Sequence, residues 1–417
     1  MSKVRVTSIS KSSTGKITLS GSKSISNRVL IIQALCDGHF QIENLSDSDD
    51  TRTLQQLLAS EEYHLDAHHA GTTYRFLTSY LATKEGEHIL TGSERMQERP
   101  IEALSEALIS IGADISYEKK RGYPPLKIRS PKRIFDSSID LPADISSQYI
   151  SSLLLIAPTL KNGLEIHLKG EIVSRPYLEM TLKIMEYFGV NHSWEGQIIK
   201  IKPQNYTPRD FYVEADWSAA SYYYIIAAFS EEVDLVLEGL NKESLQGDSA
   251  IVKIGEHFGI KTEYFENSIR LSKNGQEVTD LFEYDFIKCP DIAQSVSTMA
   301  AGLGVSVLFS GLQTLKIKET DRILALQNEL SKVGVFLSKL PAKFSQNSGI
   351  EYYMQEGKAK VDSTPLFSTY KDHRMAMSFA PLSMFFPIEI EDYLVVTKSY
   401  PNFWNDLEKL GLQAILK

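Results

Sequence analysis

Five glycines recur along the chain in one context, with an apolar residue on either side: Ile111-Gly112-Ala113, Phe188-Gly189-Val190, Phe258-Gly259-Ile260, Val333-Gly334-Val335 and Leu410-Gly411-Leu412. Each closes a helical pattern and precedes a short strand-like run. Glycine suits the left-handed conformation that stops a helix. The spacings are 77, 70, 75 and 77 residues. A near-constant period marks a repeated supersecondary unit, and about 70 residues per unit is too long for a solenoid. An earlier, shortened copy falls at Leu58-Ala59-Ser60, 52 residues before Gly112. The simplest partition of these helix-and-strand units is three in each of two domains. The boundary then falls near the middle of the chain, at Val213–Ser221.

A chain of 417 residues is too long for one ordinary core. With 42% apolar and 23% charged residues it has a globular composition. No apolar run is long enough to span a bilayer, and the N-terminus lacks the apolar core of a signal peptide. Two cysteines, Cys36 and Cys289, make no disulfide framework, which points to a reduced, cytoplasmic setting, with Cys36 in a core. A net charge of −9 argues against a nucleic-acid surface and makes local clusters of cations informative.

Such clusters stand where helices begin. Gly21-Ser22-Lys23-Ser24-Ile25-Ser26-Asn27-Arg28 precedes an apolar run ending at Leu35, with Ser24 or Ser26 as the cap. Free N–H groups and the helix dipole favour an anion there. A P-loop does not fit, because its glycine and lysine spacing is absent. Asp47–Thr51 reads as the cap of a second helix, Gly71–Arg75 opens a third, and Pro100 suits the first turn of another. Ser146-Ser147-Gln148 and Ser174-Arg175-Pro176-Tyr177 open two more. In the second half, Asp291 precedes an apolar helix, where an aspartate usually acts as the cap. Lys316–Arg322 mixes both charges, Asp372-His373-Arg374 opens a helix, and Val395–Lys398 reads as the end of a strand. Residues 3–20 read as a hairpin turning at Ser12–Gly15.

Cations at element starts in both halves of an acidic chain imply a strongly positive site for small polyanions. Asp291, Glu319 and His373 stand among them and can transfer protons. No metal or nucleotide motif and no nucleophile elbow is present.

The motifs GSKSISNR at 21–28, AGTTYR at 70–75, RMQERP at 95–100, SSQ at 146–148, SRPY at 174–177, PDIA at 290–293, KETDR at 318–322, DHRMAM at 372–377 and TKSYP at 397–401 occur in one order. In this the chain resembles the 5-enolpyruvylshikimate-3-phosphate synthases, from Gly21 to Pro401. The resemblance implies a two-domain inside-out α/β barrel, each domain of three βαβαββ units with the first unit shortened. The domains would be 21–214, and 1–20 with 215–417. It implies transfer of the enolpyruvyl group of phosphoenolpyruvate to the 5-hydroxyl of shikimate 3-phosphate, with release of phosphate. Lys23, Ser24, Arg28, Ser146, Ser147, Gln148, Ser174, Tyr177, Asp291 and Lys318 would hold shikimate 3-phosphate. Lys23, Gly71, Arg99, Gln148, Arg322, Arg374 and Lys398 would hold phosphoenolpyruvate. Asp291 would be the base, Glu319 or Lys23 the acid, and His373 a stabiliser or shuttle. No cofactor or metal is implied, and the partners are the two substrates alone, with no nucleic acid, no membrane and a monomeric chain. His69, Phe76, Thr314 and Lys316 depart from the family pattern, and 51–69 is short. The sister transferase acting on UDP-N-acetylglucosamine has asparagine after its lysine and a cysteine loop; here Ser24 follows Lys23 and no cysteine lies near Arg99. A non-catalytic polyanion-binding relative would not need Asp291, Glu319 and Lys23 together.

Overall fold

All five periodic glycines adopt positive φ: 128° at Gly112, 85° at Gly189, 83° at Gly259, 75° at Gly334 and 81° at Gly411. They end the helices Glu102–Ile111, Arg175–Tyr187, Ile251–His257, Arg322–Ser331 and Phe403–Lys409. The strands Asp114–Tyr117, His192–Glu195, Ile260–Phe265, Phe336–Lys339 and Leu412–Leu416 follow. At three of these stops the residue after glycine donates its N–H to a carbonyl five positions back: Ala113 to Leu108 (3.0 Å), Val190 to Met185 (3.0 Å) and Val335 to Leu330 (3.1 Å). That bond satisfies a carbonyl the helix would otherwise leave open.

The computed structural model describes residues 2–131, 136–143, 145–170, 172–344 and 349–417. Contacts divide the chain into two compact units, Gly21–Val213 and Met1–Ser20 with Glu214–Lys417. Within the first unit, His64–Asp66 pairs parallel with Glu87–Thr91, which pairs antiparallel with Leu126–Arg129 and on to Asp114–Tyr117. The strands Ser138–Pro142, Leu164–Lys169, Ile198–Ile201 and His192–Glu195 repeat that order. A short parallel pair joins Ile42–Glu43 to Phe211–Tyr212.

In the second unit the same order appears in Ser12–Thr18, Glu232–Glu238, Ser268–Lys273 and Ile260–Phe265. It appears again in Leu281–Asp285, Ser306–Ser310, Tyr353–Glu356 and Phe336–Lys339. In the last sheet, Leu366–Phe367, Ile388–Glu391, Lys3–Ser8 and Leu412–Leu416, the N-terminal strand takes the third place.

The N-terminal hairpin therefore does not form. Ser12–Gly15 is not a turn but the start of an extended strand that pairs parallel with Glu232–Glu238. Val4 and Val6 bury one face in one sheet, and Ile17 and Leu19 bury theirs in another. Two period-2 strands in sequence look like a hairpin, but each found a better-matched partner far along the chain.

Several helices are buried nearly all round. Trp217–Phe229, Gly71–Ala82 and Ala293–Leu303 have few or no exposed positions. A helix with no solvent face belongs inside its unit. The candidate residues Gly71 and Asp291 lie at or just before the starts of two of them.

Candidate active site

In the Gly21–Val213 unit, Lys23 opens the helix Lys23–Leu35. Its N-cap is Ser22, which makes no side-chain cap bond, so neither Ser24 nor Ser26 caps it. Ser26 Oγ instead accepts from the Ser46 N–H. Lys23 Nζ lies 3.3 Å from Asp50 Oδ2, and Asp50 is only 1% exposed. The cap of the helix Asp49–Leu58 is Ser48, not an aspartate, which leaves Asp50 to meet the lysine.

One turn along, Arg28 is buried without a carboxylate among the described residues. Its Nε donates to Thr181 Oγ1 (2.7 Å), Nη1 to the Ser24 carbonyl (2.7 Å), and Nη2 to Ser151 Oγ (3.2 Å) and the Tyr177 carbonyl (3.4 Å). The Phe76 ring lies 5.5 Å from the guanidinium carbon. Burial pushes the Arg28 guanidinium down to about 10. Arg28 thus links its helix to Ser147–Ile156 and Arg175–Tyr187, the two helices that Ser146, Ser147, Ser174 and Tyr177 begin. Ser174 sits in the left-handed region at φ 58°.

A second cluster forms around Gly71. A Cβ there would lie 2.7 Å from both Arg75 Nη1 and Arg99 Nη1, so a side chain at this position would push the two guanidiniums aside. Arg75 donates to Gln148 Oε1 (2.8 Å), and Gln148 Nε2 donates to Thr72 Oγ1 (3.0 Å). The helix after Pro100 begins only at Glu102, so Pro100 precedes it instead of filling its first turn.

The other unit is organised around Arg322, 2% exposed. Its Nε donates to Asp372 Oδ2 (2.7 Å), Nη1 to Asp291 Oδ1 (2.9 Å) and Nη2 to Glu319 Oε2 (2.9 Å). Asp291 also meets Lys318 Nζ (3.3 Å) and Arg374 Nη2 (3.2 Å), and Glu319 meets Lys398 Nζ (2.9 Å). Asp291 is not a helix cap: the helix Ala293–Leu303 is preceded by Ile292 with no side-chain cap bond. Asp372 caps its own helix by accepting from the Arg374 N–H at 2.9 Å. His373 is buried, its Nδ1 3.8 Å from Asp372 Oδ1. Lys398 ends a 3-10 helix, Tyr393–Lys398, not a strand.

Burial pushes the Asp291 carboxyl up, but Arg374, Lys318 and Arg322 together hold it well below the usual carboxylate range. Burial lowers Lys318, against the pull of Asp291. Asp248, 5% exposed, accepts from Ser218 Oγ, while its Oδ1 has no hydrogen-bond partner. Burial, then the Asp291 charge, pushes its carboxyl up to about 7. Arg374 completes the group by donating to Ser218 Oγ (3.2 Å) and Tyr222 OH (3.5 Å).

The structure thus gathers Asp291, Lys318, Glu319, Arg322, His373, Arg374 and Lys398 in one unit. In the other it gathers Arg28 with Ser24 and Tyr177, and Gly71 with Arg99 and Gln148. The sequence reading missed Asp50, Arg75, Asp248 and the part Asp372 plays in holding Arg322. Asp50 and Asp372 stood inside motifs already noted. Asp248 stood in no motif noted in the sequence. Of the departures, Phe76 supports Arg28, Lys316 turns out to Glu351 at 2.7 Å, Thr314 lies in the 3-10 helix Gln313–Ile317, and His69 is exposed.

The fold and these side chains define an α/β protein in which buried cations face buried carboxylates. The family model for EPSP synthase (3-phosphoshikimate 1-carboxyvinyltransferase) matches residues 7–60 and 52–407. A 3-phosphoshikimate 1-carboxyvinyltransferase of Bacteroides fragilis is 48% identical over 397 residues, 95% of each chain. One from Haemophilus influenzae is 34% identical over 441 aligned positions, covering 96% of this chain and 97% of its own. The solved EPSP synthase of Acinetobacter baumannii has the same fold, with a TM-score of 0.79 over the whole of both chains at 21% identity. The chain belongs to the EPSP synthase family, the 3-phosphoshikimate 1-carboxyvinyltransferases.

Proposed function

We propose that the chain transfers the enolpyruvyl group of phosphoenolpyruvate to the 5-hydroxyl of shikimate 3-phosphate and releases phosphate, on the route to aromatic amino acids. The observation that carries this reading is the Arg322 network, in which one guanidinium contacts Asp291, Glu319 and Asp372 while Lys318, Arg374 and Lys398 contact the first two. The reaction needs an alcohol deprotonated and the methylene carbon of an enol phosphate protonated, with anions held alongside.

Asp291 accepts the hydroxyl proton as oxygen attacks the neighbouring carbon, and Glu319 delivers a proton to the methylene. Lys23 is the second candidate for that donor. The tetrahedral adduct then loses phosphate as its methyl carbon gives a proton back to Glu319. Without ligand, three cations make Asp291 a weak base. Phosphate and carboxylate groups of the substrates compete for those cations, and Asp291 recovers basicity as they leave it. Lys398 and Arg322 can likewise leave Glu319 for an anion. His373 stabilises the charge beside Asp372.

Phosphoenolpyruvate takes Lys23, Gly71, Arg99, Gln148, Arg322, Arg374 and Lys398. Shikimate 3-phosphate takes Lys23, Ser24, Arg28, Ser146, Ser147, Gln148, Ser174, Tyr177, Asp291 and Lys318. The two compact units serve as the two domains, and the sheets of common strand order as copies of one βαβαββ unit in an inside-out α/β barrel. The chain acts as a monomer in the cytoplasm; among the described residues no helix is long and apolar enough to cross a membrane. A cysteine-dependent relative using UDP-N-acetylglucosamine is disfavoured, because burial pushes the Cys289 thiol up to about 12.

Phosphate release from phosphoenolpyruvate tests the reading. Release should require shikimate 3-phosphate and should not occur with UDP-N-acetylglucosamine. Absence of release with shikimate 3-phosphate, or equal release with both acceptors, would overturn it.

A further inference from the structure

Immediately before Asp372, Tyr370 and Lys371 both lie in the left-handed region, at φ 53° and 56°. Two successive non-glycine residues there are strained, and such a turn persists only where its surroundings over-determine it. The surroundings converge on Glu329, 1% exposed. Its Oε1 accepts from Tyr370 OH (2.7 Å), and its Oε2 from the Ser368 N–H (3.0 Å) and Lys332 Nζ (2.6 Å). Lys332 Nζ also donates to the Leu366 carbonyl (2.8 Å).

Glu329 belongs to the helix Arg322–Ser331, which begins with Arg322. Seven residues is two turns, so Arg322 and Glu329 share a face. One end of that face grips Asp372 and the other grips the turn that delivers Asp372.

We propose that Glu329 is a positioning residue. By holding the Ser368–Lys371 turn in its strained form, it fixes the Asp372 carboxylate against Arg322 and so aims the Arg322 guanidinium at its anionic substrate. This rests on the assignment of Arg322 to phosphoenolpyruvate. Glu329 touches no reacting atom; it acts through Tyr370, the turn and Asp372.

The test uses Glu329→Gln and Tyr370→Phe in the full chain. Each should raise the KM for phosphoenolpyruvate about tenfold, the equivalent of one good hydrogen bond, and leave the affinity for shikimate 3-phosphate unchanged. Tyr224→Phe, which removes a hydrogen bond to Thr262 in the same unit, controls for stability alone and should leave both constants unchanged. Lys371→Gly separates strain from general support. Glycine adopts positive φ freely, so it should restore most of the lost affinity in the Glu329→Gln background. Asn267→Gly, at another left-handed position in that unit, should raise the melting temperature without restoring it.

A readout independent of the reaction is the hydrogen exchange of Arg322 Nε–H by ¹⁵N NMR in the ligand-free protein. It should be slow in the unmodified chain and faster in Glu329→Gln. Unchanged Nε–H exchange, or losses no greater than those of Tyr224→Phe, would overturn the positioning role. Faster exchange in a chain that lacks the transferase reaction would instead overturn the functional assignment and leave the positioning role standing.

Discussion

Two buried arginines of one unit and the buried cations of the other are held in opposite ways, although Lys23 in the first unit does meet Asp50. In Gly21–Val213, Arg28 and Arg75 lean on hydroxyls, carbonyls, an amide and aromatic faces, and no carboxylate among the described residues pairs with either. In the other unit, Arg322, Arg374, Lys318 and Lys398 are matched by Asp291, Glu319 and Asp372. The first arrangement leaves two guanidiniums with no carboxylate partner among the described residues. The second ties four cations to three carboxylates, so an anion that took one of those cations would release a carboxylate.

The largest effect expected from breaking the balanced side is on turnover. Asp291→Asn should keep the fold and still bind shikimate 3-phosphate, yet lose about 10²–10⁴-fold in turnover, the usual range for a general base. Turnover, melting temperature and ligand affinity on one preparation check this. Near-normal turnover would shift the role to Glu319 or His373.

Stability should separate the two sides directly. Arg322→Met strands Asp372 and takes one partner each from Asp291 and Glu319, which keep Lys318, Arg374 and Lys398; it should cost about 3–5 kcal/mol, the usual result of removing one partner from a buried ion pair. Arg28→Met strands only neutral acceptors and should cost about 1–3 kcal/mol. Urea unfolding of both variants measures the gap; equal losses would erase the distinction.

A third test uses pH. The Asp248 carboxyl is raised from the ordinary aspartate value of 3.8 to about 7 in the folded chain. A raised folded value means that its contribution is fully present below the unfolded value and is lost as pH rises through the folded one. Stability of the unmodified chain should therefore fall by about 4 kcal/mol relative to Asp248→Asn between about pH 4 and pH 7, at about 1.4 kcal/mol for each pH unit crossed. Parallel pH profiles for the two proteins would remove Asp248 from the network.

The smallest effect expected is on single-ligand affinity. Arg99→Ala and Lys398→Ala, one from each side, should each weaken phosphoenolpyruvate by about 1.5–3 kcal/mol, as charge-assisted contacts usually do, and shikimate 3-phosphate far less. Separate titrations decide, and equal loss for both ligands would undo the assignment of these residues.

The elements that could be read from the chain were those whose cause is local. Each of the five glycines needed positive φ for its helix stop, and an apolar residue on either side marked the turn back into the core. Polar residues before helices with no solvent face had to lie at helix starts. The failures were also local in appearance. Residues 3–20 carried hairpin signals, and Asp291 carried the signal of a cap.

What the sequence alone determined is which residues bear charge and which end of which helix they occupy. What only the tertiary structure decided is which distant residues each charge meets. Arg322 meets Asp372 across 50 residues, and Arg28 meets Thr181 across 153. Helix stops and starts are set by φ and by hydrogen bonds within a few residues. The pairing of buried charges depends on which elements pack together, and those partners are too far apart in the chain for any local pattern to encode them.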